Sequence, residues 1–198
     1  MQVVTVYGAS EVRENLTSRA IGGRVDGQNM HSLFGRGQLA IHLGKLEEAA
    51  EIAELTGVIL NGDNHSSRTS FNSTRDIEQR IKRGRFLLAE KDDIIVGVAY
   101  LEPRTEASRL DLLAVCPSQR HSGVGSQLLY AAERLSASMR CLFMHIHVIN
   151  LHRETIKFCR RRGYVEFGIE ALDGQQPVSP HCHIVRMCKR LDVDCLVF

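Results

Sequence analysis

From Leu39 onward the apolar positions fall into two periods. Short alternating or continuous apolar runs predict strands at 39–43, 86–90, 94–101, 109–115, 141–148, 164–170 and 183–189. Helical spacing predicts helices at 45–55, 74–82, 124–136 and 151–162. Leu46, Ala49, Ala50 and Ala53 share one face of the first helix; Val124, Leu128, Ala131, Ala132 and Leu135 share one face of the third. Thr74 can cap the second helix and Gly84 stops it, while Gly163 stops the fourth. Lys91-Asp92-Asp93 is a hairpin turn between two strands, and Pro117 ends the 109–115 strand. The order is strand, helix, helix, three strands, helix, strand, helix, two strands. It combines a meander with strand–helix–strand crossovers. That predicts an α/β fold (α+β, mixed sheet): a central, mostly antiparallel sheet with helices on both faces.

Residues 1–38 break this regularity with scattered glycines and are expected to be an N-terminal extension, partly disordered. The domain is expected over 39–191, with a tail at 192–198. The 198 residues are 43% hydrophobic and 24% charged, which suits one soluble globular domain. Lys and Arg number 25 against 23 Asp and Glu, a net charge of +2. That balance argues against nucleic acid or a membrane surface as a partner held by bulk charge. No apolar run approaches the ~18 residues of a membrane span. The start of the chain lacks a basic segment followed by a long apolar one, so a cytoplasmic location is expected. The six cysteines show no framework spacing and are expected to be reduced thiols.

One stretch carries chemistry. Leu112-Leu113-Ala114-Val115-Cys116-Pro117 is a buried strand and its stop. Ser118-Gln119-Arg120-His121-Ser122-Gly123-Val124-Gly125-Ser126 then turns into an amphipathic helix. A helix N-terminus offers unpaired N–H groups and a positive dipole end. Glycines remove the side chains that would keep a phosphate away from those groups. The product is a backbone cradle for a pyrophosphate, with Arg120 as a cation at its mouth. A lone Gly-x-Gly could equally do no more than shape the turn. Leu128 stands where a dinucleotide motif needs its third glycine, and no Gly-Lys-Ser/Thr follows.

Arg120-x-x-Gly123-x-Gly125, preceded by Leu-Ala-Val-x-Pro, resembles the acyl-CoA signature of the GNAT N-acetyltransferase superfamily. Lys157-Phe158-Cys159-Arg160-Arg161-Arg162-Gly163-Tyr164 is similar to that family's C-terminal helix end. The resemblance spans about three quarters of the chain, leaving out residues 1–38. It implies a GNAT-like sheet splayed at the acyl-CoA site, between the strands at 109–115 and 141–148. It implies acetyl-CoA as cosubstrate, with its pyrophosphate on the backbone of Arg120, His121, Ser122, Gly123, Val124, Gly125 and Ser126. The pantetheine arm would pair with Leu113, Ala114 and Val115 like an added strand, and the Val115 N–H would polarise the thioester carbonyl. Asn150 or His152 would take the place of an asparagine that contacts the cofactor in relatives. Transfer would be direct, in a ternary complex, to the primary amine of a small polar molecule, peptide or protein. A homodimer is compatible with the family.

An alkyl ammonium with pKa about 10.4 must lose a proton before it attacks. Asp111, on the central strand, is the first candidate base, although it can also pair with Arg109 two residues away. His147, and less so His145, are the next candidates on the neighbouring strand. Cys159 stands where the family usually has a tyrosine that protonates the departing sulfur. It is a candidate donor or simply a small apolar residue. His181-Cys182-His183 lacks a second pair at zinc spacing, so no metal is expected. The Arg160–Arg162 run is either a solvated helix end or a phosphate contact. The acceptor pocket is expected from 55–80 and 171–180, whose composition names no acceptor. The alternative to an enzyme is a non-catalytic CoA-binding sensor or partner-binding module on the same fold.

Overall fold

The computed structural model describes residues 39–61, 71, 73–171 and 182–192. The expected extension at 1–38, most of the tail, His181 and, from the predicted acceptor segments, residues 62–70, 72 and 172–180 lie outside the described residues.

Seven strands form one sheet in the order β1-β2-β3-β4-β5-β7-β6. They are β1 (Ala40–Leu43), β2 (Arg85–Lys91), β3 (Ile94–Pro103), β4 (Ala107–Val115), β5 (Phe143–Ile149), β6 (Val165–Ala171) and β7 (His183–Arg190). Every neighbouring pair is antiparallel except β4 with β5. Four helices complete the fold: α1 (Ala49–Asn61), α2 (Thr74–Arg83), α3 (Val124–Ser138) and α4 (Arg153–Arg161). The expected mixed sheet with helices on both faces is what the chain forms.

Several boundaries differ from the sequence pattern, three of them as follows. Helix α1 continues past residue 55 to Asn61, because Ile59 still finds the core and the Thr56 hydroxyl bonds back to the Ile52 carbonyl at 2.7 Å. Strand β5 begins at Phe143 rather than 141, because the Leu142 and Phe143 amides both turn to the Glu106 carbonyl. Helix α4 begins at Arg153, after a turn at Leu151.

The sheet separates two cores. One lies under α3 and α4 and includes Leu113, Val115, Leu128, Ile146, Val148 and Cys159. The other lies under α1 and α2 and includes Ile52, Ile77, Leu88, Val98, Tyr100, Leu112 and Ala114. Phe71, Phe86 and Tyr100 meet there with ring centroids 4.6–6.3 Å apart. Edge contacts of this kind contribute about 0.5–1.5 kcal/mol per pair beyond burial. The Arg80 guanidinium caps the cluster, 4.0 Å from the Phe71 ring centroid. Helix α3 sits close to the sheet because Gly97 leaves room: a Cβ there would lie 3.0–3.1 Å from Leu128 and Val124. That close seat fixes where the α3 N-terminus meets the end of β4.

Candidate active site

The pairing between β4 and β5 is short. It runs from Ala107↔Phe143 to Leu110↔Ile146. Beyond that point β4 continues to Val115 and β5 to Ile149, yet no pairs link them. The two strands therefore splay, and β4 keeps an open edge in the middle of the sheet. The Cys116 amide donates to the Val96 carbonyl on β3 at 2.8 Å. Amides two residues apart point the same way along a strand, so Ala114 also faces β3. Leu113 and Val115 consequently aim their N–H groups into the splay.

The splay begins at a bulge. Tyr100 pairs with Leu112 and Leu101 with Leu110, so Asp111 is an extra residue in β4. Leu110 faces the α3 core and Leu112 the α1/α2 core. The Asp111 side chain joins Leu112 on the α1/α2 face, where it meets Arg109. The Arg109 Nη2 donates to Asp111 Oδ2 at 2.8 Å. Nε and Oδ1 lie 2.5 Å apart but are not aligned as a hydrogen bond. Asp111 is 1% exposed, and burial raises its carboxyl above the usual range against the opposing pull of Arg109. Arg109 also reaches Glu102 at 3.3 Å.

The expected cradle closes the other end of the splay. His121 and Gly123 take positive φ values of 64° and 94°, which turns the chain into α3. A Cβ on Gly123 would meet nothing within 4 Å, so the loop opens onto free space there. A Cβ on Gly125 would touch Val115 at 3.5 Å, which places Val115 beside the cradle. Arg162, at the end of α4, donates to the Ser126 hydroxyl in the first turn of α3. The sequence leaves the Arg160–Arg162 run open between solvent and a phosphate; the fold takes Arg162 to the loop that opens α3. No local signal could reveal this, because the partners are 36 residues apart.

The remaining candidates separate. His147 follows Ile146, so it stands at the closed end of the splay, 7% exposed. Its Nδ1 is buried without a hydrogen-bond partner. Burial first, then Arg109 and Arg186, lower it to about 4. It is therefore a neutral imidazole at pH 7. Cys159 is 1% exposed in the α3/α4 core, and burial pushes its thiol up to about 12. A thiol held that far above the usual ~8.5 is a poor proton donor to another thiolate, so its surroundings suit packing. Beside it the Tyr164 hydroxyl donates to Glu133 at 3.0 Å, and Glu133 pairs with Lys189 at 2.7 Å. The Asn150 side chain accepts from the His183 amide at 3.1 Å, which ties β5 to β7. His152 precedes α4. Among the described residues no three His, Cys, Asp or Glu side chains gather as metal ligands, and no helix is long and apolar enough to cross a membrane. The five described cysteines are free.

The His147 environment has a measurable consequence. Its folded pKa is depressed below the ordinary 6.5, so the unfolded chain binds the proton more tightly. Stability is thus fully present above pH 6.5 and falls as pH drops towards 4, by up to about 1.4 kcal/mol for each unit traversed. Chemical denaturation between these pH values should show that slope, and His147→Gln should flatten it. An unchanged slope in the variant would assign the acid sensitivity elsewhere.

A splayed parallel seam in an otherwise antiparallel sheet, next to a glycine-lined helix start, defines a class. Residues 82–166 match the acetyltransferase (GNAT) domain family. Among known proteins it is 35% identical over 101 residues to an amino-acid acetyltransferase from Azotobacter vinelandii, which covers 50% of this chain and 22% of that protein. An amino-acid acetyltransferase from Pseudomonas putida is 34% identical over 100 residues, again 50% of this chain and 21% of that one. The chain thus spans about a fifth of the length of these relatives. Among solved structures, a ribosomal-protein-alanine N-acetyltransferase from Brucella melitensis superposes with a TM-score of 0.66 at 16% identity, covering 77% of this chain and 99% of that one. A GNAT acetyltransferase from Elizabethkingia anophelis, with acetyl-CoA bound, superposes with a TM-score of 0.57 at 15% identity, covering 77% and 98%. These likenesses establish the fold.

Proposed function

We propose that this domain transfers an acetyl group from acetyl-CoA to an amine by direct attack. The observation that carries the reading is the open inner edge of β4 leading from the Gly123 cradle to Asp111. The residues present fit the cosubstrate. The cradle has free space where a side chain would obstruct a pyrophosphate, and Arg120 and Arg162 supply cations at its border. The Leu113 and Val115 amides are free to bond an extended arm inside the splay. Acetyl-CoA supplies the activated acetyl group.

The geometry shifts one assignment from the sequence reading. Val115 touches the cradle, so it lies at the pyrophosphate end of the splay rather than at the reacting end. The amide aimed into the splay deeper down is that of Leu113. We therefore assign the carbonyl-polarising N–H to Leu113 and give Val115 the role of holding the arm.

The α3 face of the splay is filled by apolar side chains, so the amine must come from the α1/α2 face. Asp111 waits there. Its carboxylate is paired with Arg109 and made more basic by burial, which suits it to accept the ammonium proton directly or through water. His147 Nδ1 is the second acceptor at the same level. Among the relatives and neighbours, the names specify amino acids and a ribosomal-protein alanine as acceptors. Both are amines, and an amine acceptor is the level at which this reading stands.

The test is amine-dependent release of free CoA from acetyl-CoA, with Asp111→Asn alongside. The wild type should turn over. The variant should lose about 100-fold in kcat with nearly unchanged KM for acetyl-CoA. Tight acetyl-CoA binding without release by any amine would instead point to a CoA-binding module. Full turnover by Asp111→Asn across the pH range would remove Asp111 as the base.

A further inference from the structure

A second feature lies on the same face, beyond the closed end of the splay. Arg104, Arg109, His145, His147 and Arg186 surround a cleft of about 110 Å³. Among the described residues no carboxylate lines it. Arg109 shares its charge with Asp111 and Glu102. Arg104 and Arg186 have no carboxylate partner among the described residues, so the surplus charge is theirs. The two histidines are also held below their ordinary range, by burial first and then by these arginines. Two polar atoms at the cleft, His147 Nδ1 and Arg186 Nε, are buried without a hydrogen-bond partner. Arg186 Nε can only donate, so its buried N–H without a partner calls for an acceptor.

Three facts about the cleft identify that ligand. Its charge selects an anion. Its volume of about 110 Å³ is ample for a carboxylate group. Its position ties it to the reaction. His147 stands level with Asp111, and Arg109 lies four residues from Leu113, roughly 13 Å along the strand. Arginine side chains shorten that gap. A small molecule can therefore place an amine at Asp111 and an acid group in the cleft. Helices α1 and α2 pack over β2, β3 and β4 and leave this half of the face clear among the described residues.

We infer that the cleft is the carboxylate seat of the acceptor, so that the amine acetylated here is carried on a small carboxylic acid. The inference rests on the acetyltransfer reading for its link to catalysis, but its binding half can be measured alone. Charge-assisted hydrogen bonds from Arg186 and Arg104 would hold the acid. An uncharged amide at the same place would offer one acceptor oxygen instead of two, no charge, and an NH2 turned towards the arginines, so discrimination should be large.

The experiment titrates the full chain, loaded with CoA, with succinate by calorimetry. Succinamide serves as the uncharged control and sulfate as the generic anion. Succinate should bind at least tenfold more tightly than either. Arg186→Gln should weaken succinate at least tenfold, with melting temperature checked. Arg134→Gln, an exposed position on α3, should bind succinate like the wild type. In turnover, 4-aminobutyrate should exceed 4-aminobutyramide by at least tenfold in kcat/KM. Succinate binding no tighter than succinamide, or unaffected by Arg186→Gln, would overturn the inference. So would sulfate binding as tightly as succinate, which would mark a plain anion trap. Failure of the acetyltransfer reading looks different: neither amine releases CoA, while succinate binding still reports on the cleft.

Discussion

Gly123→Glu abolishes acetyl-CoA binding while the domain stays folded. Gly123 holds a φ of 94°, and a Cβ there meets no atom within 4 Å. The variant therefore creates no internal clash. Its folding cost is that of a non-glycine residue in left-handed backbone, about 1–2 kcal/mol. For a chain of this size that is a fall of a few degrees in melting temperature. Binding suffers far more. The new carboxylate occupies the open space of the cradle and repels the diphosphate it should receive. A loss beyond 100-fold, about 2.8 kcal/mol, is expected in a calorimetric titration. Gly123→Ala carries the same backbone cost without the charge and should retain most of the affinity. If Gly123→Glu is folded and binds like the wild type, the cofactor is not on this loop.

The second large effect concerns stability. Gly84→Ala places a Cβ 2.4 Å from the Leu101 carbonyl oxygen and 2.6 Å from the Tyr100 hydroxyl. The first neighbour is sheet backbone and cannot yield cheaply. Gly84 is where α2 ends and drops into β2, and its amide donates to the Arg80 carbonyl at 2.8 Å. The Tyr100 hydroxyl reaches that same carbonyl at 3.3 Å and Glu102 at 3.1 Å. Accommodating the methyl means shifting the whole α2–β3 junction. Overpacking of this kind costs about 3 kcal/mol, and equilibrium urea unfolding should read that loss. Because Glu102 also holds Arg109, the variant should lose turnover at temperatures where it is still folded. A loss below about 0.5 kcal/mol would mean that α2 can move off the sheet without strain.

Much of this was legible in the sequence for local reasons. Helices announced themselves by period and stop residues, and the strands from 85 to 115 by their density of β-branched and aliphatic residues. The strand-to-helix loop proposed as the cradle was legible because its parts are contiguous, from Val115 to Ser126. The bulge was not. Leu110 to Val115 are buried on both faces, so the apolar pattern has no alternation from which a slipped residue could be read. Asp111 interrupts the run, and only the pairing to β3 shows that it is the extra residue. The cationic cleft was also hidden. Arg104, His147 and Arg186 come from three segments separated by about 40 residues each, and a parallel seam followed by an antiparallel one brings them together. Cys159 shows a third kind of limit: its position in the helix was readable, but its burial decided what the thiol can do.

The four-residue seam between β4 and β5 has a mechanical meaning. It is the narrow joint between a four-strand leaf, β1 to β4, and a three-strand leaf, β5 to β7. On the α3 side the joint is backed by a core that both leaves share; on the other, among the described residues, the buried apolar cluster includes no residue of β5 to β7. A ligand lying in the splay would act as the missing rung between the leaves and stiffen them against each other. Loading the cosubstrate would therefore assemble the far wall of the acceptor site, since Asp111 belongs to one leaf and His147 and Arg186 to the other. On the proposed acetyltransfer reading, that architecture would favour an order: the nucleotide-bearing partner first, the amine second.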